Sequence, residues 1–190
     1  MPLDEYRRKR DPRRTPEPFA AGAGGSDRPI FVVQRHDARR LHYDFRLERN
    51  GVLLSWAVPK GIPLEPGAKA LAVHVEDHPI EYAKFEGEIP KGQYGAGTVE
   101  LWDTGTYELL EEKRDGGLTF RLDGTRFQGV WTLVPAHLDG KEQNWLLIRK
   151  VEEHEHGPQC GHAAVPHGDH VDYVHDGHRH ATHGGHYDEH

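Results

Sequence analysis

Within the fourteen residues from Gln34 to Leu47 the chain reads Gln34-Arg35-His36-Asp37-Ala38-Arg39-Arg40-Leu41-His42-Tyr43-Asp44-Phe45-Arg46-Leu47. On an extended strand alternate side chains share a face, so His42, Asp44 and Arg46 project one way and Tyr43, Phe45 and Leu47 the other. Side chains two apart sit roughly 6.5–7 Å from each other at Cα, close enough for His42 and Asp44 to converge on one ion, with His36 folding back from the preceding loop. Two imidazoles and a carboxylate make a metal shell with positions left open for water and substrate. A guanidinium beside such a shell grips phosphate oxygens through two parallel hydrogen bonds, so Arg46 points to phosphoryl chemistry. The competing reading is a solvated polar face with histidines scattered along it. A second segment, Val75-Glu76-Asp77-His78-Pro79-Ile80-Glu81-Tyr82, adds His78 and Tyr82 just after an expected strand, where functional loops sit. Its plainer reading is a turn capped by Asp77 with a surface histidine. His74 has the parity of His78 and reads as a surface residue.

These residues need a β framework. From Ile30 onward, short apolar or alternating runs are separated by turn signals, predicting strands at Phe31–Arg35, His42–Leu47, Leu53–Val58, Leu71–Val75, Thr98–Asp103, Leu118–Leu122, Gly129–Pro135 and Trp145–Arg149. Asn50-Gly51 lies between two of them and favours a two-residue type I′ hairpin; Asp123-Gly124 and Asp139-Gly140 punctuate similarly. No long window carries a helical apolar stripe, although Tyr107–Arg114 suits a short helical turn. Some eight strands in about 120 residues predict an all-β fold, a small compact barrel whose closure removes exposed edges. Ahead of it, residues 1–29 form an irregular arm rich in charge, Pro and Gly. Residues 1–14 hold six basic and three acidic side chains, which suits contact with a phosphate backbone as well as simple solubility.

The formal charge of −7 over 190 residues belongs to one end. Residues 151–190 hold eight acidic residues and only Arg179 as a cation, whereas residues 1–150 hold 23 of each sign. The tail also carries 11 of the 16 histidines and lacks Leu, Ile, Phe, Met and Trp. It cannot build a core, so a disordered tail over 151–190 follows a single domain over 30–150. Cys160, His162, His167, His170, His175, His178, His180 and His183 alternate there with carboxylates, a donor mixture suited to zinc, nickel or copper. The expected roles are metal buffering, delivery to the catalytic site or sequestration of ions that would displace a weaker one; a polar tail that binds metal incidentally is the alternative. Cys160 is the sole cysteine, which excludes an intrachain disulfide and fits a reducing compartment. The longest apolar run, Val52–Val58, is broken by Ser55 and is far short of the ~20 residues of a membrane span. With no signal-peptide core at the N-terminus, the expectation is a soluble cytoplasmic protein.

Several ordered motifs resemble one family. Gln34-Arg35-His36-Asp37, Leu41-His42-Tyr43-Asp44-Phe45-Arg46-Leu47-Glu48, Ser55-Trp56-Ala57-Val58-Pro59-Lys60-Gly61, Val75-Glu76-Asp77-His78-Pro79 and Ile89-Pro90-Lys91-Gly92-Gln93-Tyr94-Gly95-Ala96-Gly97 resemble the 3′-phosphoesterase domain of bacterial and archaeal DNA ligase D. Lys9-Arg10-Asp11 and Thr15-Pro16-Glu17-Pro18 resemble its start, so the likeness runs from about Glu5 to Lys150. It implies a compact β-barrel and a manganese-dependent hydrolase acting on DNA or RNA–DNA 3′ ends. Such an enzyme removes a terminal ribonucleoside and then the 3′-phosphate, in non-homologous end joining. Carried over by position, His36, His42 and Asp44 bind the metal, Arg46 and His78 contact the phosphate, and Tyr82 completes the pocket. Arg10, Asp11, Glu17 and Lys60 support substrate binding. One departure is Ala70, where the family pattern carries an arginine; Lys69 and Lys60 are the nearest cations in sequence.

The glycine-rich Lys91–Gly97 segment suits either a phosphate cradle or a sharp barrel corner, the corner being the simpler reading. Two other function classes remain: a catalytically weakened module that binds nucleic-acid ends, and a metal-buffering protein acting through its tail. The chain has no room for polymerase and ligase modules, so any such partners are expected in trans.

Overall fold

A computed structural model describes residues 3–19, 28–136 and 140–151 in full, with the backbone of short strands between 163 and 189. Contacts divide the chain into two units, 1–151 and 152–190.

In the first unit a short helix, α1 (Asp4–Arg8), precedes β1 (Ile30–Asp37), β2 (Leu41–Arg49), β3 (Val52–Val58) and β4 (Lys69–Pro79). A 3₁₀ turn (Ile80–Lys84) leads to β5 (Gly87–Ile89), β6 (Gly97–Glu112), β7 (Leu118–Gly124), β8 (Gln128–Pro135) and β9 (Asn144–Arg149). The order is β1-β2-β3-β4-β9-β8-β7-β6-β5, and pairing of β1 with β6 closes eight of these strands into an antiparallel barrel. All eight expected strands are present. Arg49 pairs with Val52, and Asn50 and Gly51 have φ of 51° and 79°, the positive values that a type I′ turn requires.

The barrel interior is apolar. Phe31, Phe45, Leu47, Trp56, Phe120, Trp131, Leu133 and Leu147 form its centre, with the Phe45 and Phe120 rings stacked at 5.6 Å. A second, smaller cluster lies against the outer wall, where Tyr6 of α1 and Tyr82 of the 3₁₀ turn pack on Val32 and Leu53. The arm is thereby held on the outside of β1 to β4, with Tyr6 donating a hydrogen bond to the Pro18 carbonyl at 2.8 Å.

The helical turn expected over Tyr107–Arg114 is not formed. Residues 107–112 prolong β6 and pair with Leu118–Leu122 of β7. The Glu- and Leu-rich stretch favours a helix locally, but Tyr107 is buried and its hydroxyl donates to the Glu48 carbonyl at 2.7 Å. Packing overrides propensity there.

In the second unit β10 (Ala163–His167), β11 (His170–His175), β12 (His178–His183) and β13 (His186–Glu189) pair antiparallel in succession. These short pairings lie in the segment that the sequence reading treats as unstructured. Cys160 and His162 lie outside the described residues. No helix among the described residues is long and apolar enough to cross a membrane.

Candidate active site

Strand pairing builds the site on the outer face of the barrel wall. His36 pairs directly with His42, Gln34 with Asp44 and Val32 with Arg46. Residues opposite each other on an antiparallel ladder share a face, so His36 reaches His42 as a cross-strand neighbour within β1. The expectation that it folds back from a loop is corrected; β1 runs two residues beyond the end inferred for it. The alternation along β2 holds, since Phe45 and Leu47 belong to the core while Asp44 and Arg46 line an open cavity of about 280 Å³.

The ligand atoms of His36, His42 and Asp44 all lie within 4.8 Å of one another. His36 Nδ1 is 3.3 Å from Asp44 Oδ2, and His42 Nε2 is 3.6 Å from Asp44 Oδ1. The opposite nitrogens fix the tautomers. His36 Nε2 faces the Gly95 carbonyl at 2.8 Å and His42 Nδ1 the Arg40 carbonyl at 2.9 Å. A carbonyl only accepts, so each of these nitrogens carries a proton, and in the neutral ring it is the nitrogen directed at Asp44 that has the lone pair. Two imidazole nitrogens and a carboxylate converging in this way are a donor set that a divalent cation can occupy. Ligands about 2.1 Å from one ion lie roughly 3–3.4 Å apart, and backbone acceptors on the far nitrogens are the usual orienting partners of metal-binding histidines. The donor set fits a borderline or hard divalent ion.

Arg46 is 2 % exposed and donates from Nε to Gln34 Oε1 at 2.9 Å and from Nη1 to Ser55 Oγ at 2.8 Å. Its Nη2 is 3.2 Å from Asp44 Oδ2, and its guanidinium lies 4.7 Å from the Tyr82 ring centre. Burial alone would raise the Asp44 pKa, but Arg46 and the two imidazoles outweigh it and hold the carboxyl below the usual carboxylate range. Three of the five guanidinium N–H groups are engaged by these partners, which leaves two for a ligand in the cavity.

His78 arrives by an irregularity. The β3–β4 register shifts between the Leu53–His78 and Ser55–Val75 pairs, so a β-bulge inserts one residue into β4. A bulge of this kind re-aims the side chains beyond it. His74 consequently lies on the other face, in tilted contact with the Trp56 and Trp145 rings at 5.3 and 5.7 Å. The equal parity read for it is corrected; its ring is half-buried rather than fully on the surface, and burial lowers its pKa. His78 Nδ1 donates to the Glu76 carbonyl at 2.8 Å, and its Nε2 accepts from Arg10 Nη2 at 3.3 Å. Burial, reinforced by Arg46 and Arg10, pushes its pKa well below the ordinary histidine value. It is therefore a neutral imidazole with its one proton already committed.

The arm closes the wall. Arg10 donates to Glu17 Oε1 and Glu76 Oε1, each at 2.8 Å, and its guanidinium lies 4.0 Å from the Tyr6 ring centre. Tyr82, its pKa raised by burial, donates to Glu17 at 3.1 Å. Gln34 donates to the Tyr82 and Phe85 carbonyls at 3.1 and 2.9 Å, which anchors the 3₁₀ turn over Arg46. Arg10, Glu17, Arg46, His78 and Tyr82 thus join the His36, His42 and Asp44 group around one cavity.

Asp11 and Lys60 are exposed and line no part of that cavity. Asp11 instead closes a turn, accepting from the Arg13 amide at 3.0 Å. Ala70 lies in the barrel core, on the face of β4 away from the cavity. Gln34, Ser55 and Glu76 have no individual role in the sequence reading; the only signal for Ser55 is a polar residue inside an otherwise apolar run. The glycine-rich segment follows the corner reading. At Gly97, with φ of 144°, a Cβ would collide with the Asp37 carbonyl oxygen and sit 2.7 Å from Ala38 Cα. Gly95 turns its carbonyl, rather than its amide, toward the site.

Comparison with known proteins agrees with this geometry. Residues 34–135 match the family model described as the DNA ligase D 3′-phosphoesterase domain. The multifunctional non-homologous end joining protein LigD of Pseudomonas aeruginosa is 51% identical over 154 residues, covering 78% of this chain and 18% of the relative. Its namesake from Mycobacterium bovis is 48% identical over 151 residues, 77% of this chain and 19% of the relative. That of Mycolicibacterium smegmatis is 44% identical over 170 residues, 83% of this chain and 22% of the relative. The chain thus spans about a fifth of the length of the curated relatives it matches. A family match over residues 34–135, joined to relatives that align across most of the chain, shows that this chain belongs to the DNA ligase D 3′-phosphoesterase domain family.

Proposed function

We propose that the chain is a metal-dependent hydrolase of nucleic-acid 3′ ends that prepares breaks for non-homologous end joining. In the first reaction water adds to phosphorus, the bond to the 5′-oxygen of a terminal ribonucleoside breaks, and that oxygen takes a proton as the nucleoside leaves a 3′-phosphate behind. In the second, water adds again, the bond to the 3′-oxygen breaks, and inorganic phosphate departs from a 3′-hydroxyl. The observation that carries the reading is the convergence of His36 Nδ1 and His42 Nε2 on the Asp44 carboxylate beside a buried Arg46.

His36, His42 and Asp44 would hold the ion, manganese by family likeness. When bound, a divalent ion polarises a phosphate oxygen and lowers the pKa of water. Arg46 presents its two remaining N–H groups to non-bridging oxygens, in a wall that excludes water from one side and strengthens the interaction. His78 cannot serve as general acid in its present state, because its only proton is held by the Glu76 carbonyl. It supports Arg10, which adds a second cation to the cavity. Tyr82 and Glu17 tie the arm and the 3₁₀ turn into the same wall. The 2′-hydroxyl of the terminal sugar distinguishes an RNA-like end from DNA in the first reaction. Ligase and polymerase functions would complete the repair, and a cytoplasmic location fits this work. Asp11 and Lys60 would act outside the cavity, on substrate reaching beyond it. The two segments 1–29 and 151–190 would serve as arm and metal-binding tail to the domain at 30–150.

Ala70 belongs to the core and lines no part of the cavity, so the arginine of the family pattern has no counterpart at that position. The test is incubation with manganese and a primer ending in one ribonucleotide, resolving 3′-phosphate and 3′-hydroxyl products over time. Sequential appearance of both supports the reading; tight binding of ends without either product would favour an end-binding module.

A further inference from the structure

Two hollows open from the catalytic cavity, and their charges are opposite. One, of about 480 Å³, shares Val75 and Glu76 with the cavity and is lined also by Glu5, Lys9 and Asp77. Lys9 is already bound to Glu5 at 2.8 Å and to Glu76 at 3.0 Å. Burial, with Glu5 and Glu76 adding to it, pushes Asp77 up to about 6, the mark of a region that disfavours further negative charge. The other hollow, of about 440 Å³, shares Ala38 and His42 with the cavity and is completed by Arg39 and Arg40. Both arginines are exposed on the turn between β1 and β2, and among the described residues neither side chain has an acidic partner. Most other arginines of the barrel are occupied: Arg35 by Glu100, Arg49 by Glu112, Arg46 by Asp44, Arg126 and Arg149 over Trp102 and Trp131.

We propose that Arg39 and Arg40 form the track for the strand that ends in the cavity, contacting the one or two backbone phosphates immediately upstream of the reacting one. The partner is a polynucleotide backbone, and the inference rests on the proposed 3′-end chemistry. Of these two exits for a strand whose terminal phosphate sits beside His42, the acidic one repels the next phosphate and the basic one neutralises it. The turn also couples track to site, because the Arg40 carbonyl holds His42 Nδ1. Replacing the Arg40 side chain leaves that carbonyl in place, so substitution reports on the guanidinium alone.

The test uses the full chain with manganese and compares the variant R39A/R40A with K113A/R114A, which removes the same charge from the exposed turn between β6 and β7. For each, KM is measured on a 3′-phosphorylated 12-mer and on a nucleoside 3′-monophosphate, which has no upstream phosphate. R39A/R40A should raise the ratio of the two KM values about tenfold, and the control pair should leave it unchanged. The salt dependence of 12-mer binding, read by fluorescence anisotropy, should flatten by about 0.7 to 0.9 per lost phosphate contact. An unchanged ratio and slope, or equal changes in both variants, would overturn the track. Should the wild-type chain hydrolyse neither substrate, the proposed function fails, while anisotropy still decides the track by the same tenfold loss.

Discussion

The two faces of β2 divide the labour of this protein. Toward the barrel axis Phe45 and Leu47 pack with Trp56 and Phe120 in an apolar cluster. Toward the outside, one residue away at each step, His42, Asp44 and Arg46 join His36, Gln34, Ser55 and His78 in a polar layer beneath the arm. The inner face provides a rigid closed wall. The outer face uses that wall to hold the Asp44 carboxylate against Arg46 and two imidazoles at 3.2–3.6 Å. A barrel lumen this small is filled by side chains, so chemistry has to move outside, and an outside site needs its own roof. Residues 3–19 and the 3₁₀ turn provide it.

If the division is real, substitutions on the two faces should fail in different ways. The largest effect is expected from His42→Ala. Its side chain is 23 % exposed and touches Asp44 at 3.6 Å, with Arg46 remaining to balance that carboxylate, so hydrolysis of both 3′-end substrates should be abolished while the melting temperature stays within a few degrees of wild type. Retention of near-normal rates with manganese would break the comparison. Phe45→Ala is its mirror image: opening a cavity in the lumen should cost about 3–5 kcal/mol of stability, with kcat close to wild type at temperatures where the variant remains folded. Equilibrium denaturation and kinetics on the same preparations separate the two.

Arg46→Lys sharpens the outer-face claim. The charge is kept, but the planar fork that reaches Gln34, Ser55 and Asp44 is lost, and a fall in kcat of about 10- to 100-fold is expected, with Arg46→Ala worse. An unchanged kcat would make Arg46 a purely structural cation. At the tail, removal of residues 151–190 should leave manganese-supported activity unchanged in buffer free of other metals and sharpen inhibition by added zinc. Equal zinc inhibition of both proteins would remove any sequestering role.

The smallest effect concerns pH. Burial, with Glu5 and Glu76, raises Asp77 to about 6 from an ordinary 3.8. A group with a raised folded pKa binds more protons folded than unfolded, so its contribution falls as pH rises from about 4 to 6. Asp77→Asn should therefore raise the melting temperature at pH 7, by about 2–4 °C after allowance for solvent screening, and give no advantage below pH 4. His78 runs the other way. Its folded pKa is depressed, so stability is lost as pH falls below about 6.5.

Much of this organisation is legible in sequence, for identifiable reasons. The eight barrel strands announce themselves through period-2 alternation and turn dipeptides, and the outer polar row of β2 follows from parity alone. Parity also fails at a defined place: the bulge in β4 is invisible to it, and so His74 and His78 separate onto different faces. Tyr107–Glu112 misleads because its composition favours a helix, while the partner strand that overrides it lies downstream. Contacts between the arm and β4, such as Arg10 to Glu76 at 66 residues' separation, leave no local trace. His36 is intermediate, since its place opposite His42 becomes clear once both strands are known to extend to the turn.

The central claim is that His36, His42 and Asp44 bind one catalytic divalent ion on the outer wall. Anomalous diffraction at the manganese edge, on crystals of the full chain soaked in manganese, tests it most directly. The account predicts a peak within bonding distance of His36 Nδ1, His42 Nε2 and an Asp44 carboxylate oxygen. Manganese-dependent hydrolysis accompanied by no peak there, with the ion found only elsewhere on the chain, would contradict it.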